Sequence, residues 1–307
     1  EGDKCTFIGS TFRRMGENEP YKNNIIVLGN SSQLPNIETV CCKNERQLLL
    51  KWKDLIKEEK PDIIIGYNIF GFDWKFVIER AEELDCKKEF LKMSKNKDEI
   101  CMVKKSSVTV ASGTHELQYV NIPGRVQLDL YNHYRKEVNL PSYKLDYVSS
   151  HFIGDMVNNV EECGNDDEND DAHNEQAKYT KIYSKNLKGL KKGHYICFEI
   201  INYSSDMYEN GKKFMIEKLN TDEGYFTIKE KLNLPKGKIR WCLAKDDVTP
   251  QDIFRLSNQG PVEKSIVAKY CIQDCNLVQN LMLKGDMMAG IMAQSEVCNV
   301  PIDYIIM

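Results

Sequence analysis

Residues 61–76 read PDIIIGYNIFGFDWKF. The apolar run Ile63-Ile64-Ile65 stops at Gly66, and a turn carrying Tyr67, Asn68, Gly71 and Phe72 leads to a lone carboxylate, Asp73. A run this short and this apolar predicts a strand buried on both faces, the habit of α/β sheets. Gly66 and Gly71 bracket the turn, where a missing Cβ permits close approach or unusual torsions. Upstream, ERQLLLKWKDLIKEEK sets Leu48, Leu49, Trp52, Leu55 and Ile56 on one face of a helix, which Pro61 ends. Downstream, WKFVIERAEEL resumes a helical period through Phe76, Val77, Arg80 and Leu84. Asp73 therefore stands between a strand and a helix.

Outward from this stretch the alternation continues. CTFIGSTF and NNIIVLG predict neighbouring strands joined by a polar turn. SSVTVAS and LQYVNIPGRVQLDLYNHY alternate like paired strands, and SYKLDYVSSHF returns to helix. This order predicts an α/β fold, a mixed sheet with flanking helices. Residues 155–260 change character. YICFEII, KFMIEKL, GYFTIKE and IRWCLA predict four short strands separated by polar turns, the spacing of a small inserted β-rich module. SIVAKYCIQDCNLVQNLMLKGDMMAGIMAQ then predicts one long helix, with Tyr270 one turn before Asp274 on the same face. The expected division is 1–154, the first part of the α/β domain; 155–260, linker and insert; and 261–307, its final helix and lead-out.

The chain has 307 residues, 41% hydrophobic and 29% charged, the balance of a globular protein of one or two domains. No apolar run reaches the roughly 18 residues of a membrane helix, so no membrane contact is expected. The eleven cysteines include no C-x-x-C pair, which argues against a zinc ribbon and for a reducing compartment. Cys271 and Cys275, four apart on a helix, read as packing thiols. The chain opens at Glu1 and stops in the apolar YIIM, which reads as a segment cut from a longer protein. Residues 161–175, EECGNDDENDDAHNE, hold eight acids and no Lys or Arg; without them the net charge moves from −4 to +4. That run reads as a solvated loop. Lys178, Lys181, Lys185, Lys188, Lys191 and Lys192 follow it. They form a phosphate-gripping run or simply a solvated face.

Asp73 and Asp274 come from elements far apart in sequence. Two-metal phosphodiester hydrolysis requires carboxylates gathered in this way, and Mg²⁺ favours their oxygens. A tyrosine hydroxyl such as that of Tyr270 can orient the attacking water. The plainer readings are a helix N-cap for Asp73 and a surface acid for Asp274. Tyr67, Asn68 and Phe72 flank Asp73. Phe72 is either core or a platform for the terminal base of a frayed single strand, and Asn68 can bond sugar or phosphate.

GYNIFGFD (66–73) resembles the Exo II motif of family B DNA polymerases, and YCIQDCNL (270–277) resembles their Exo III motif, Tyr-x-x-x-Asp. DKCTFIGSTF is similar to the strand that follows Exo I, and GRVQLDLYNHYRKEVNLPSYKLDYVSSHFIG to the segment between the two motifs. AQSEVCNVPIDYIIM is similar to the stretch before the polymerase domain. The insert, ending in WCLAKDDVTPQDIFRLSNQGP, resembles one in polymerases of giant, nucleocytoplasmic large DNA viruses.

The resemblance implies an RNase H-like exonuclease fold and a 3′→5′ proofreading activity in DNA replication. Asp73 and Asp274 become metal ligands for two Mg²⁺ ions, with Mn²⁺ as a substitute, and Tyr270 positions the water. Tyr67, Asn68 and Phe72 become DNA contacts. The implied partners are the single-stranded 3′ end of a primer, the rest of the polymerase chain and a sliding clamp. The implied location is intracellular, in a host nucleus or a cytoplasmic replication site.

Two departures, and one agreement outside the motifs, qualify the match. Phe76 stands where the family usually has Tyr. Asp129 aligns with a carboxylate common in the family but outside its exonuclease motifs, and reads as structural. Exo I, a strand ending Asp-Ile-Glu, is not found. Asn36-Ile37-Glu38-Thr39 has its outline but follows SSQLP and precedes Asp73 by only 35 residues. Exo I is expected upstream of Glu1, so the chain alone is expected to be nearly inactive as a nuclease. Two other readings stay open. One is a non-catalytic module, carried by the insert, that binds DNA or a replication partner; the other is a stand-alone exonuclease of the same fold.

Overall fold

The computed structural model describes residues 2–17, 19–97, 99–110, 113–163, 179–202, 204–235, 237–245 and 248–306. Most of the acidic run, and Lys178, lie outside them. The chain forms two compact units: Glu1–Pro141 with Val248–Met282 and Asp286–Met307, and Ser142–Asp247 with Leu283–Gly285.

In the first unit, β1 (Phe7–Phe12), β2 (Lys22–Leu28) and β3 (Glu38–Cys42) make one sheet, antiparallel between β1 and β2 and parallel between β2 and β3. Central β2 buries Ile25, Ile26 and Val27 in succession, so both of its faces are covered. Helix α1 (Glu45–Glu59) starts on Asn44, whose side chain accepts from the Gln47 amide, and ends on Lys60 in the left-handed region. It buries Leu48, Leu49, Leu55 and Ile56, the face its spacing predicts. Strand β4 (Ile63–Gly66) leads into a single π-helical turn, Ile69–Asp73, which runs directly into α2 (Trp74–Glu83).

After the short α3 (Lys87–Phe90), β5 (Met102–Val110) and β6 (Gly113–Asn121) form a hairpin, and β7 (Val126–Asp129) pairs parallel with β4. Residues 130–134, LYNHY, are not strand but the start of α4 (Leu130–Glu137), because Asp129 caps them by accepting the Tyr131 amide. The strands also do not join one continuous sheet among the described residues: β1–β2–β3, β4–β7 and β5–β6 are separate ladders. Strand β4 is half-buried rather than buried on both faces, and among the described residues it pairs with β7. Helix α2 turns Trp74, Ile78 and Ala81 into the core, a face rotated from the expected one, and leaves Phe76 and Val77 partly covered.

The second unit contains α5 (Leu145–Phe152) and seven strands: β8 (Gly154–Cys163), β9 (Tyr179–Ser184), β10 (Tyr195–Ile201), β11 (Ser205–Met207), β12 (Phe214–Asn220), β13 (Tyr225–Ile228) and β14 (Lys238–Ala244). The four expected strands are β10, β12, β13 and β14; β8, β9 and β11 are additional. Residues 161–163 of the acidic run belong to β8, where Glu161 faces Lys181 across the ladder. Successive antiparallel pairs run β10–β12–β13–β9–β8–β14, and β14 pairs back onto β10. The insert is thus a closed six-stranded barrel with β11 beside it, and closure leaves few free strand edges. Phe198, Phe214, Ile216, Phe226 and Trp241 are buried in it.

The chain returns to the first unit through α6 (Pro250–Ser257), which opens on a capping box formed by Thr249 and Asp252. The long helix expected last is two helices, α7 (Pro261–Lys284) and α8 (Met287–Cys298), followed by α9 (Ile302–Ile306). The break falls at Gly285-Asp286, where Asp286 takes a positive φ of 46° that a continuous helix does not permit.

Candidate active site

Strands β4 and β7 end side by side, with Gly66 opposite Asp129. The carboxyl ends of parallel strands are where α/β proteins build sites. The chain leaves β4 through Asn68, at φ 61°, whose carbonyl accepts the Gly71 and Phe72 amides at 3.2 and 3.0 Å. Both glycines serve close approach. A Cβ on Gly66 would collide with the stiff Ile69 side chain, and one on Gly71 would collide with the Asn68 amide.

The π-helical turn separates its aromatics. Phe70 points inward, 5.0 Å from Tyr119. Phe72 points outward, 62% exposed, and stacks nearly flat on Phe76 at 6.0 Å. Phe72 is therefore not core, and Phe76 without a hydroxyl serves as the plate beneath it. Tyr67 meets Tyr131 of α4 edge to face at 5.7 Å, and the Arg135 guanidinium lies 5.2 Å above the Tyr131 ring. Tyr131 and Arg135 were missed as neighbours of the site because their segment reads as strand. Their i, i+4 spacing was the available signal.

Asp73 enters α2 with helical torsions and makes no capping bond, so the N-cap reading does not hold. Asp73 is exposed by surface area, yet protein atoms crowd round its carboxyl closely enough to disfavour the charged form. That packing, followed by the negative charge of Asp129, outweighs a backbone hydrogen bond and raises its pKa to about 6. The folded chain then binds the Asp73 proton more tightly than the unfolded chain does. Stability linked to Asp73 is present below about pH 4 and is lost as pH rises towards 6. Asp73→Asn should stabilise metal-free protein at pH 7.5 by about 1 kcal/mol, after allowance for solvent screening, and leave it unchanged at pH 3.5. Melting curves in EDTA at the two pH values check this; equal gains at both would refute it.

Asp274 and Tyr270 are half-buried on α7, as are Cys271 and Cys275. The two thiols pack against β1, where a Cβ on Gly9 would lie 3.3 Å from Cys275 Sγ and 3.4 Å from Cys271 Cβ. They are packing thiols, as their spacing suggested. Burial pushes the Cys275 thiol up, and the charges of Cys271, Asp274 and Asp73 push it further. Cys5 is likewise pushed up to about 12 by burial and Glu45, with Asp73 and Cys271 contributing and Arg80 opposing. Glu38 pairs with Lys22 at 3.0 Å and accepts from the Asn24 side chain at 3.1 Å.

Among the described residues no group of three or more His, Cys, Asp or Glu side chains is gathered to hold a metal. Mg²⁺ is nonetheless often held by one or two carboxylates, with water and substrate phosphate completing its shell. Asp73 and Asp274 fit that pattern in donor chemistry; the neighbouring thiols do not. No helix of the described residues is long and apolar enough to cross a membrane.

Residues 1–148 match the DNA polymerase family B, exonuclease domain. Across its whole length the chain is 39% identical to a DNA polymerase of Phaeocystis pouchetii virus, covering 30% of that protein. It is 34% identical to one of Pyramimonas orientalis virus, again over the whole chain and covering 23% of that protein. About half of the chain, 52%, is 36% identical to the DNA polymerase delta catalytic subunit of Oryza sativa subsp. japonica, covering 14% of it. The chain therefore spans a third or less of the length of these curated relatives.

Proposed function

Because the chain belongs to the family B DNA polymerases, in their exonuclease region, we propose that it carries part of a proofreading 3′→5′ exonuclease site acting in intracellular DNA replication. Asp73 and Asp274 would hold divalent metal, Mg²⁺ or Mn²⁺. Such ions, when bound, stabilise charge on a phosphodiester and acidify a water. The Tyr270 hydroxyl orients the attacking water. Phe72, exposed and backed by Phe76, stacks on the unpaired terminal base, while Tyr67 and Asn68 line its approach. A mismatched 3′ end frays and so offers its last base to Phe72 more often than a paired end does. The mixed β1–β2–β3 sheet and the parallel β4–β7 pair support an RNase H-like reading of the first unit. The observation that carries the proposal is the place of Asp73 on the turn that leaves β4, with the exposed Phe72 stacked on Phe76 beside it.

The test is Mn²⁺ binding to the 307-residue chain, read by water-proton relaxation. Asp73→Asn and Asp274→Asn should each abolish most of the binding. Binding indifferent to both removes the site. Removal of 3′ nucleotides by the chain alone should be slow, because Exo I acids are not among its residues. Rapid Mg²⁺-dependent loss that Asp73→Ala abolishes would overturn the inactivity while keeping the site.

A second reading gives the barrel a DNA-binding role. One observation favours it: Tyr183 and Tyr225 face each other across β9 and β13 at 5.5 Å, with Lys181 Nζ 5.3 Å from the Tyr225 ring. Replacing both tyrosines by alanine should weaken single-stranded DNA binding by about 1–3 kcal/mol per stacked base. Unchanged affinity removes the barrel from DNA binding.

A further inference from the structure

Asp129 is 3% exposed, and its two oxygens accept four hydrogen bonds. Oδ1 accepts the amides of Asn68 (2.8 Å) and Tyr131 (3.0 Å); Oδ2 accepts the Phe70 amide (3.0 Å) and the Asn132 side chain (3.2 Å). A helix cap needs only the Tyr131 bond. Two of the four bonds go instead to the π-helical turn that carries Phe72 and Asp73, 61 and 59 residues away in sequence. Both oxygens are committed to N–H donors, so Asp129 is not a further metal ligand. Asn68 sits in the left-handed region, a conformation that persists only where the surroundings over-determine it. The Asp129 carboxylate supplies that determination from the adjacent strand end.

We propose that Asp129 is a positioning residue for the site: its carboxylate clamps the turn between Asn68 and Phe70 and so aims Asp73 and Phe72. The consequence for metal binding rests on the proofreading reading; the clamp itself does not. A clamp of this kind acts like the outer partners of metal ligands, whose loss lowers metal affinity about 10–100-fold.

The experiment uses the 307-residue chain and three variants. Asp129→Asn keeps the shape but turns an NH₂ group towards an amide donor. Asp129→Ser keeps a good helix cap for Tyr131 but cannot span to Asn68 and Phe70. Asp73→Asn reports loss of the ligand itself. Amide exchange is followed residue by residue, together with Mn²⁺ affinity and melting temperature.

In Asp129→Ser the Asn68 and Phe70 amides should exchange about tenfold faster or more, with the Leu48 and Ile78 amides unchanged. Mn²⁺ affinity should fall about 10–100-fold in a folded protein. Asp129→Asn should behave the same way; if it fails to fold, the serine variant alone decides. Unchanged exchange at Asn68 and Phe70 overturns the proposal. So does loosened exchange with unchanged Mn²⁺ affinity, which leaves Asp129 a cap and no more. If the wild-type chain binds no Mn²⁺, the metal reading of Asp73 and Asp274 falls, and the exchange result by itself decides the clamp.

Discussion

Replacing Arg80 by alanine should destabilise the first unit by about 3–5 kcal/mol, the usual cost of removing one partner of a buried ion pair. Arg80 and Glu45 side chains are each 4% exposed and bond through two contacts, Nε–Oε1 at 2.7 Å and Nη2–Oε2 at 2.6 Å. Glu45 Oε1 also accepts the Cys5 amide at 2.8 Å, so the pair anchors the start of the chain to α1 and α2. Burial alone would raise the Glu45 pKa; the Arg80 fork and the Cys5 amide hold it below the usual carboxylate range. In the alanine variant that carboxylate is buried without a cation and binds a proton more readily. The gap between wild type and variant should therefore be widest near neutral pH and shrink as pH falls. Denaturant unfolding at pH 7.5 and 4.5 measures both. Pairing Arg80→Met with Glu45→Gln should recover most of the loss, since Gln still accepts the Cys5 amide without a buried charge. A loss under 1 kcal/mol in Arg80→Ala would falsify the assignment.

Replacing Trp241 by alanine should cost the barrel about 3–5 kcal/mol. Trp241 is fully buried on β14 and meets Phe226 edge to face at 6.0 Å. Its indole donates to Ser184 Oγ at 2.8 Å, and that hydroxyl donates onward to Asp155 at 2.9 Å. The substitution removes packing from both sides of the barrel and one link of a polar chain. Against a domain stability of about 5–15 kcal/mol this is a large share. Amide exchange at Phe198 and Phe226 should quicken together, while exchange at Leu48 and Ile78 in the first unit stays as in wild type. If all four quicken equally, the two units do not unfold independently. If none does, Trp241 is not a keystone of the barrel. The variant also bears on the second functional reading, because a barrel that has loosened cannot hold Tyr183 and Tyr225 as a rigid pair.

Much of the candidate site was legible in residues 61–76. The switch from a strand-like run to a helical period bracketed Asp73, and two glycines marked a turn too tight for a Cβ. Tyr270 and Asp274 were legible as one helical face. The helix α1 was legible to its buried residues, because side-chain period and caps are local properties. The strand reading of LYNHY failed for an equally physical reason. Alternation over five residues does not separate strand from helix, and the deciding event was a capping bond from Asp129. The rotation of α2 is likewise non-local: Arg80 keeps the inward place its period gave it because Glu45, 35 residues away, supplies its partner.

The sequence by itself determined β1, β2, α1, β4 and α2 of the first unit, the family motifs and the acids within them, because each is written in neighbouring residues. Tertiary structure alone decided that Asp129 clamps the turn, that Tyr131 stands beside Tyr67, that Arg80 neutralises Glu45 and that the insert closes into a barrel. Each of these depends on hydrogen bonds or ring contacts between residues tens of positions apart. Such pairs form only when strands are in register and burial makes an unmatched polar group costly, and no local period records them.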